Sequence, residues 1–122
     1  MKTVFLAGSR RFSDNLENVF KLLEKAGISA IKGRDNTGIL NREDEMKAHQ
    51  EMLRRIDKSD MVYIVSGDGY IGKTIALEIG YAIGKKKEVI SSIALTEAEA
   101  NSFISKVMNI EELIEYIKHL YQ

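Results

Sequence analysis

The chain has 122 residues, of which 44% are hydrophobic and 30% are charged, as in ordinary globular proteins. Its 18 basic and 18 acidic residues cancel, which argues against binding to a nucleic-acid polymer or an anionic membrane surface. The absence of cysteine excludes disulfides and thiolate chemistry, and the apolar runs are too short to span a bilayer. With no signal-peptide pattern at the N-terminus, we expect a single cytoplasmic domain over residues 1–122.

Patterns typical of strands and helices alternate along the chain. The predicted strands are residues 2–7, 28–31, 60–65, 88–93 and, at an edge, 103–107. The predicted helices run from Ser13 or Asp14 to Gly27, from Glu43 to Asp57, from Ile71 or Gly72 to Lys85, from Thr96 to Ala100 and from Ile110 to Tyr121. Ser13 or Asp14, Thr96 and Asn109 are the predicted N-caps.

This alternation indicates an α/β fold in which helices cover both faces of a parallel sheet. We predict a three-layer α/β/α, flavodoxin-like sheet of four to five strands in the order 2-1-3-4-5. That order places a crevice between the first and third strands. The loops that leave these strands are Gly8–Arg11 and Ser66–Lys73, and we expect a ligand site where they meet.

Glu78 is the single charged residue in the apolar segment 74–84. A carboxylate inside a mostly buried helix is costly unless it has a function or a partner. Thr74 and Tyr81 lie on the same helix face as Glu78, so we predict a polar, chemical face. A structural alternative pairs Glu78 with an arginine from another segment. Small residues (Ala76, Gly80 and Gly84) recur on another face, which we expect to pack closely on the sheet.

The segment from Gly67 to Thr74 matches the phosphate-loop pattern G-x-x-x-x-G-K-[ST]. In a phosphate loop, Lys73 would contact the terminal phosphates and Thr74 would hold magnesium. The fourth strand carries no terminal aspartate for the metal. A nucleotide triphosphatase is therefore the least favoured alternative, and we expect neither a metal site nor a cofactor.

Other polar residues have both structural and functional interpretations. Ser9 and Arg10 follow the first strand and could bind a phosphate or carboxylate, or form a solvated turn. Asp68 could bind sugar hydroxyls or form an Asx-turn. His49 shares an apolar stripe with Met46 and Leu53, which favours a buried core histidine over a catalytic one.

Further polar segments carry weaker signals. Asp35 and Asn36 lie in a polar loop that could cover the site. Lys85, Lys86 and Lys87 end a helix, where cations complement the helix dipole. We expect that lysine run to be solvated.

The segments Asp68–Thr74 (DGYIGKT) and Glu78–Ala82 (EIGYA) resemble the signature of the nucleoside 2-deoxyribosyltransferase-like superfamily. Within it, they are most similar to small members with a Gly-Tyr-Ile-Gly loop. The first strand and turn, Val4–Arg10 (VFLAGSR), and the segment from His49 to Asp60 are also similar. The resemblance extends over roughly residues 2 to 93.

The resemblance implies an enzyme that cleaves or transfers at the N-glycosidic bond of a (deoxy)nucleoside or its 5′-monophosphate. Glu78 would be the nucleophile of a retaining route through a glycosyl-enzyme intermediate. Tyr81 and Thr74 would orient it, Asp68 would bind sugar hydroxyls, and Ser9 with Arg10 would bind the 5′ end. The glycines Gly8, Gly69 and Gly72 would shape the substrate site. Such proteins are often homodimers or larger homo-oligomers.

One departure concerns the second predicted helix. Relatives carry a carboxylate there, eight residues before the aspartate that opens the third strand, and counting back from Asp60 gives Met52. Glu51 and His49 are close in sequence but are expected to point elsewhere. The alternative prediction is therefore a nucleotide- or nucleotide-sugar-binding module that uses the same crevice without turnover.

Overall fold

The computed structural model describes residues 2–33 and 39–120. Five parallel strands form one sheet in the order β2-β1-β3-β4-β5, so the predicted strand order is confirmed. The strands are β1 Thr3–Ala7, β2 Ser29–Lys32, β3 Met61–Ile64, β4 Glu88–Ser91 and β5 Lys106–Val107. The edge strand β5 is shorter than predicted.

Five α-helices connect or follow the strands: α1 Ser13–Lys25, α2 Arg42–Asp57, α3 Lys73–Gly84, α4 Ala98–Asn101 and α5 Ile110–His119. Asn109 caps α5 in a capping box with Glu112, as predicted for the cap. The predicted N-caps of α1 and α4 are wrong. Phe12 and Glu97 occupy the N-cap positions, and neither side chain makes a capping hydrogen bond. A 3₁₀ turn, Arg10–Phe12, precedes α1. The predicted end of α5 at Tyr121 lies outside the described residues.

Alternating side chains of the sheet bury two separate hydrophobic cores, which gives the predicted three layers. On one face Phe5 and Val62 pack with residues of α2 and α3, such as Ile56 and Ile79. The second core contains strand residues Val4, Leu6 and Tyr63 with α1 and α5 residues Leu23 and Leu113. Because both faces are covered, β3 is buried along its whole length, which explains its uninterrupted apolar sequence.

Helix α3 does not use its small residues as predicted. Its buried residues are Ile75, Glu78, Ile79 and Ala82. Gly80 is exposed, and a Cβ added at Gly80 or Gly84 would meet nothing within 4 Å. The expected close packing of this face on the sheet is therefore wrong. The helix packs through Ile75, Ile79 and Ala82 instead. Burying the two isoleucine side chains removes more apolar surface from water than burying glycines would.

Candidate functional site

The candidate site is a cavity at the carboxyl ends of β1 and β2, beside the start of α3. The chain leaves β1 towards α1 on one face of the sheet and leaves β3 towards α3 on the other face. Adjacent strands whose connections diverge in this way leave a crevice between them. The cavity measures about 870 Å³, a size typical of small-molecule sites. Its lining comprises Leu6, Ala7, Gly8, Ser9, Ser13, Leu16, Glu17, Lys32, Gly33, Ala48, His49, Met52, Gly72, Lys73, Thr74, Ile75 and Glu78.

Glu78 projects from the buried face of α3 into this cavity. Its side chain is only 4% exposed. Its Oε2 would lie 4.0 Å from a Cβ added at Gly33, so the carboxylate reaches towards the end of β2. Its Oε1 has no hydrogen-bond partner among the described residues. Because burial disfavours the charged form, the pKa of Glu78 rises to about 8. The arginine partner of the structural alternative is not among the ion pairs of the described chain.

Ser9 presents the second unpaired polar atom of the cavity. Its Oγ is buried and has no hydrogen-bond partner within residues 2–33 and 39–120. Buried polar atoms in folded proteins almost always have partners. Within the described chain, the buried side-chain polar atoms without a hydrogen-bond partner are Ser9 Oγ and Glu78 Oε1. Both residues line the same cavity. This coincidence is typical of a site whose polar partners come from a ligand.

Two predicted glycines shape the cavity wall. A Cβ at Gly8 would lie 3.0 Å from Leu16 Cδ1 and 3.2 Å from the carbonyl oxygen of Val65, so the chain after β1 passes very close to β3. Gly72 is the extended residue that precedes α3. Thr74 is exposed in the first turn of α3 and also lines the cavity. The structure thus brings Gly8, Gly72 and Thr74 together with Glu78.

Asp68 does not line this cavity. Its Oδ2 accepts a 2.8 Å hydrogen bond from Arg11 Nη2, and its Oδ1 accepts one of 2.9 Å from the Tyr70 amide. The Asx-turn interpretation therefore describes the geometry of Asp68, because both carboxylate oxygens already have partners. Gly69 has a φ of +91°, and a Cβ there would lie 2.6 Å from the carbonyl oxygen of Ala94. Gly69 thus serves the loop and not the cavity wall.

The loop before α3 differs from a phosphate cradle. Ser66 Oγ accepts a 2.9 Å hydrogen bond from the Gly69 amide and donates one of 2.9 Å to the Tyr70 carbonyl oxygen. Since Asp68 accepts from the Tyr70 amide, two amides that a phosphate would need are already bonded within the loop. This geometry disfavours the nucleotide triphosphatase alternative.

Tyr81 lies away from Glu78, in contrast to its predicted role. Its hydroxyl donates a 2.7 Å hydrogen bond to Asp57 Oδ1 at the end of α2, and Tyr81 is absent from the cavity lining. Residues three apart are neighbours on a helix surface. Here Glu78 lines the cavity, whereas Tyr81 contacts Asp57 at the end of α2. The Arg10 side chain and residues Asp35 and Asn36 lie outside the described residues.

His49 is the main site residue that the sequence interpretation misplaced. It is half-buried on α2 and lines the cavity together with Ala48 and Met52. The core interpretation is wrong because its expected stripe partner Met46 is 48% exposed. The i,i+3 spacing between His49 and Met52 was the signal that could have placed both on one cavity-facing stripe.

Two charged residues that the sequence did not single out also line the cavity: Lys32 at the end of β2 and Glu17 in α1. Lys32 Nζ donates a 2.7 Å hydrogen bond to Glu17 Oε2, joining the end of β2 to α1. Lys73 lines the cavity too, at the exposed start of α3.

Among the described residues, no group of three or more histidine, cysteine, aspartate or glutamate side chains is arranged to hold a metal ion. None of the described helices is long and apolar enough to cross a membrane.

Comparison with solved structures shows where this fold occurs. A 2-deoxyribosyltransferase from Bacillus psychrosaccharolyticus superposes with a TM-score of 0.70 at 17% identity, covering 93% of this chain and 91% of that chain. Clostridium botulinum CMP N-glycosidase BcmB gives 0.59 at 16% identity, with coverages of 97% and 99%. A conserved protein from Enterococcus faecalis V583 gives 0.58 at 19% identity, with coverages of 98% and 99%.

At the level of sequence, no family model matches the chain and no curated protein matches it. The structural neighbours are consistent with the nucleoside 2-deoxyribosyltransferase-like superfamily that the sequence resembles. At these identities the likeness establishes the fold, and the reaction must be argued from the site.

Proposed function

We propose that this protein cleaves or transfers at the N-glycosidic bond of a (deoxy)nucleoside or its 5′-monophosphate, with Glu78 as nucleophile. The observation that carries the proposal is the Glu78 carboxylate, which is buried in the cavity and has an unpartnered Oε1. The energetic cost of such a group makes a purely structural role a poor explanation. The neighbours named for 2-deoxyribosyl transfer and CMP glycosidic cleavage support this reaction class.

The reaction would proceed in two displacements. A Glu78 carboxylate oxygen attacks C1′ of the sugar while the C1′–N bond breaks and its electron pair leaves with the base. Water or a second base then attacks C1′ of the glycosyl-enzyme and releases the carboxylate, with retention of configuration. This route draws on the side chains of the protein, and the expectation that no cofactor takes part stays a prediction.

The ionisation state of Glu78 gives the proposal a pH signature. Attack requires the carboxylate, but burial raises the pKa of Glu78 to about 8. In the free protein the protonated acid predominates below that pH. We therefore expect the ionisation of Glu78 to raise kcat/KM, which reports the free enzyme, as the pH rises towards about 8.

The part of the cavity wall formed by the chain after β1 and the start of α3 offers donors for the sugar or a 5′-phosphate. Ser9 supplies an unpartnered hydroxyl, Thr74 supplies a second one, and Lys73 supplies a cation. The N-terminus of the twelve-residue helix α3 lies at Gly72 beside them, and helix N-termini favour anions. We infer that the 5′ group of the substrate lies at this part of the wall, whereas the base lies nearer to α2.

A second candidate function is ligand binding without turnover. It is favoured by Met52, a buried thioether on the cavity wall at the position where the resemblance implies a carboxylate. A thioether neither protonates a base nor binds a sugar hydroxyl. A binding module predicts thermal stabilisation by the ligand with no release of base.

The test is a chromatographic assay for free base. Purified protein would be incubated with pooled deoxynucleosides, ribonucleosides and their 5′-monophosphates, with and without an acceptor base. Glu78→Gln removes the nucleophile and keeps the shape of the side chain. Glu115→Gln, an exposed change on α5, is the matched control because that helix packs on the opposite face of the sheet.

We expect base release by wild-type protein and by Glu115→Gln, and its loss in Glu78→Gln. Full activity of Glu78→Gln would overturn the proposed nucleophile. Ligand-dependent stabilisation without base release from any pool would favour the binding module.

A further inference from the structure

The proposed reaction leaves one requirement without an assigned residue. A nucleobase is a poor leaving group unless a proton reaches it as the C1′–N bond breaks. Met52 lies where the resemblance to the superfamily implies a carboxylate, and a thioether has no proton to give. A proton donor must therefore come from another side chain of the cavity.

Among the described residues, the titratable side chains that line the cavity are Glu17, Lys32, His49, Lys73 and Glu78. Glu17 and Lys32 are bonded to each other at 2.7 Å. Glu78 is the proposed nucleophile. Lys73 is exposed at the start of α3, beside the proposed place of the 5′ group. Histidine is the side-chain type that exchanges a proton near neutrality, which leaves His49.

The geometry of His49 determines which ring nitrogen is available. Its Nδ1 lies 2.8 Å from the backbone carbonyl oxygen of Glu45, one turn earlier on α2. A carbonyl oxygen only accepts hydrogen bonds, so Nδ1 carries a hydrogen in this contact. The remaining nitrogen, Nε2, is then the one that gains or loses a proton, and the Glu45 carbonyl fixes the ring orientation.

We propose that His49 is the general acid that protonates the departing base through Nε2. It would take the role that the resemblance gives to a carboxylate at the position of Met52. This inference rests on the proposed function. The C1′–N bond breaks, its electron pair stays on the base, and the Nε2 proton moves to a ring nitrogen or carbonyl oxygen of that base. A Glu78 oxygen bonds to C1′. In the second step, neutral His49 takes the proton of the attacking water or acceptor base.

The test compares nucleosides that need a proton with nucleosides that do not. One pair is 2′-deoxyguanosine and N7-methyl-2′-deoxyguanosine, and the other is 2′-deoxycytidine and N3-methyl-2′-deoxycytidine. Each is given with the sugar and 5′ group that the pooled assay identifies. The methyl group fixes on the base the positive charge that protonation would otherwise supply. The variant is His49→Gln, and the control is His119→Gln, the other histidine, which is exposed at the end of α5.

We expect His49→Gln to lose roughly a hundredfold or more in kcat on the unmethylated nucleoside, as general acids contribute, and to lose little on the methylated one. His119→Gln should match wild type on both. Equal losses on both members of a pair, or no loss on either, would overturn the role of His49 and leave the nucleophile intact. Absence of base release by wild-type protein from every substrate would instead remove the proposed function, and this inference with it.

Discussion

Replacing Glu78 by glutamine should stabilise the protein while abolishing its activity. In the folded chain, burial raises the pKa of Glu78 from its ordinary value of 4.5 to about 8. Between these two pH values the unfolded state is ionised and the folded state retains the proton, so stability falls as pH rises. Each pKa unit corresponds to roughly 1.4 kcal/mol. Above pH 8 the buried carboxylate therefore costs the folded state about 4 to 5 kcal/mol, whereas at pH 4.5 it costs little.

Glutamine mimics the neutral acid and should remove this pH dependence. The measurement is thermal or urea unfolding, followed by circular dichroism, of wild type, Glu78→Gln and Glu115→Gln between about pH 4.5 and pH 8.5. Because the other titrating groups are shared, the difference between curves isolates Glu78. We expect Glu78→Gln to exceed wild type by on the order of 10 °C in Tm at about pH 8, and the two to converge at low pH. Parallel curves for wild type and Glu78→Gln would refute the argument that burial destabilises the ionised Glu78 carboxylate.

Three further substitutions test particular contacts. Ser9→Ala should raise KM severalfold with little change in stability, because the Ser9 hydroxyl has no partner to lose among the described residues; a large loss of stability in urea unfolding would contradict this. Tyr81→Phe should leave kcat near the wild-type value and cost about 1 kcal/mol of stability, since its hydroxyl bonds Asp57; a collapse of kcat would restore its predicted catalytic role. Gly69→Ala should destabilise by about 2 kcal/mol or more in urea unfolding, because φ is +91° and a Cβ would lie 2.6 Å from the Ala94 oxygen. Unchanged stability would contradict that geometry.

The sheet order could be predicted because each strand and helix carries its own pattern. Strand β3 is buried on both faces and therefore has an unbroken apolar sequence. Short connections between such elements leave few possible topologies. The predicted caps Ser13 and Thr96 failed because local propensity does not account for tertiary contacts. The Thr96 amide, for example, bonds the Gly69 carbonyl oxygen at 3.1 Å.

The site was predictable only where a residue violated the pattern around it. Glu78 interrupts an apolar helix, and that violation is visible in the sequence. His49 does not interrupt a pattern in this way. It lies beside the buried stripe Ala48, Met52 and Ile56 of a largely polar helix, and only the fold shows that this side of α2 lines the cavity. Asp68 and Tyr81 looked functional from their neighbours in sequence. Their partners, Arg11 and Asp57, are distant along the chain and are brought to them only by folding.

Among the described residues, the loop between β3 and α3 makes no hydrogen bond to α2. Its hydrogen bonds run among Ser66, Asp68 and Tyr70 and outward to Arg11 and Thr96. The cavity-lining residues Ala48, His49 and Met52 are contributed by a separate helix, α2. Met52, however, lies in the same hydrophobic core as Ile75 and Ile79 of α3, the helix that carries Glu78. If the proposed function holds, a substitution at Met52 that changes which base is accepted would therefore also alter the packing that positions the nucleophile.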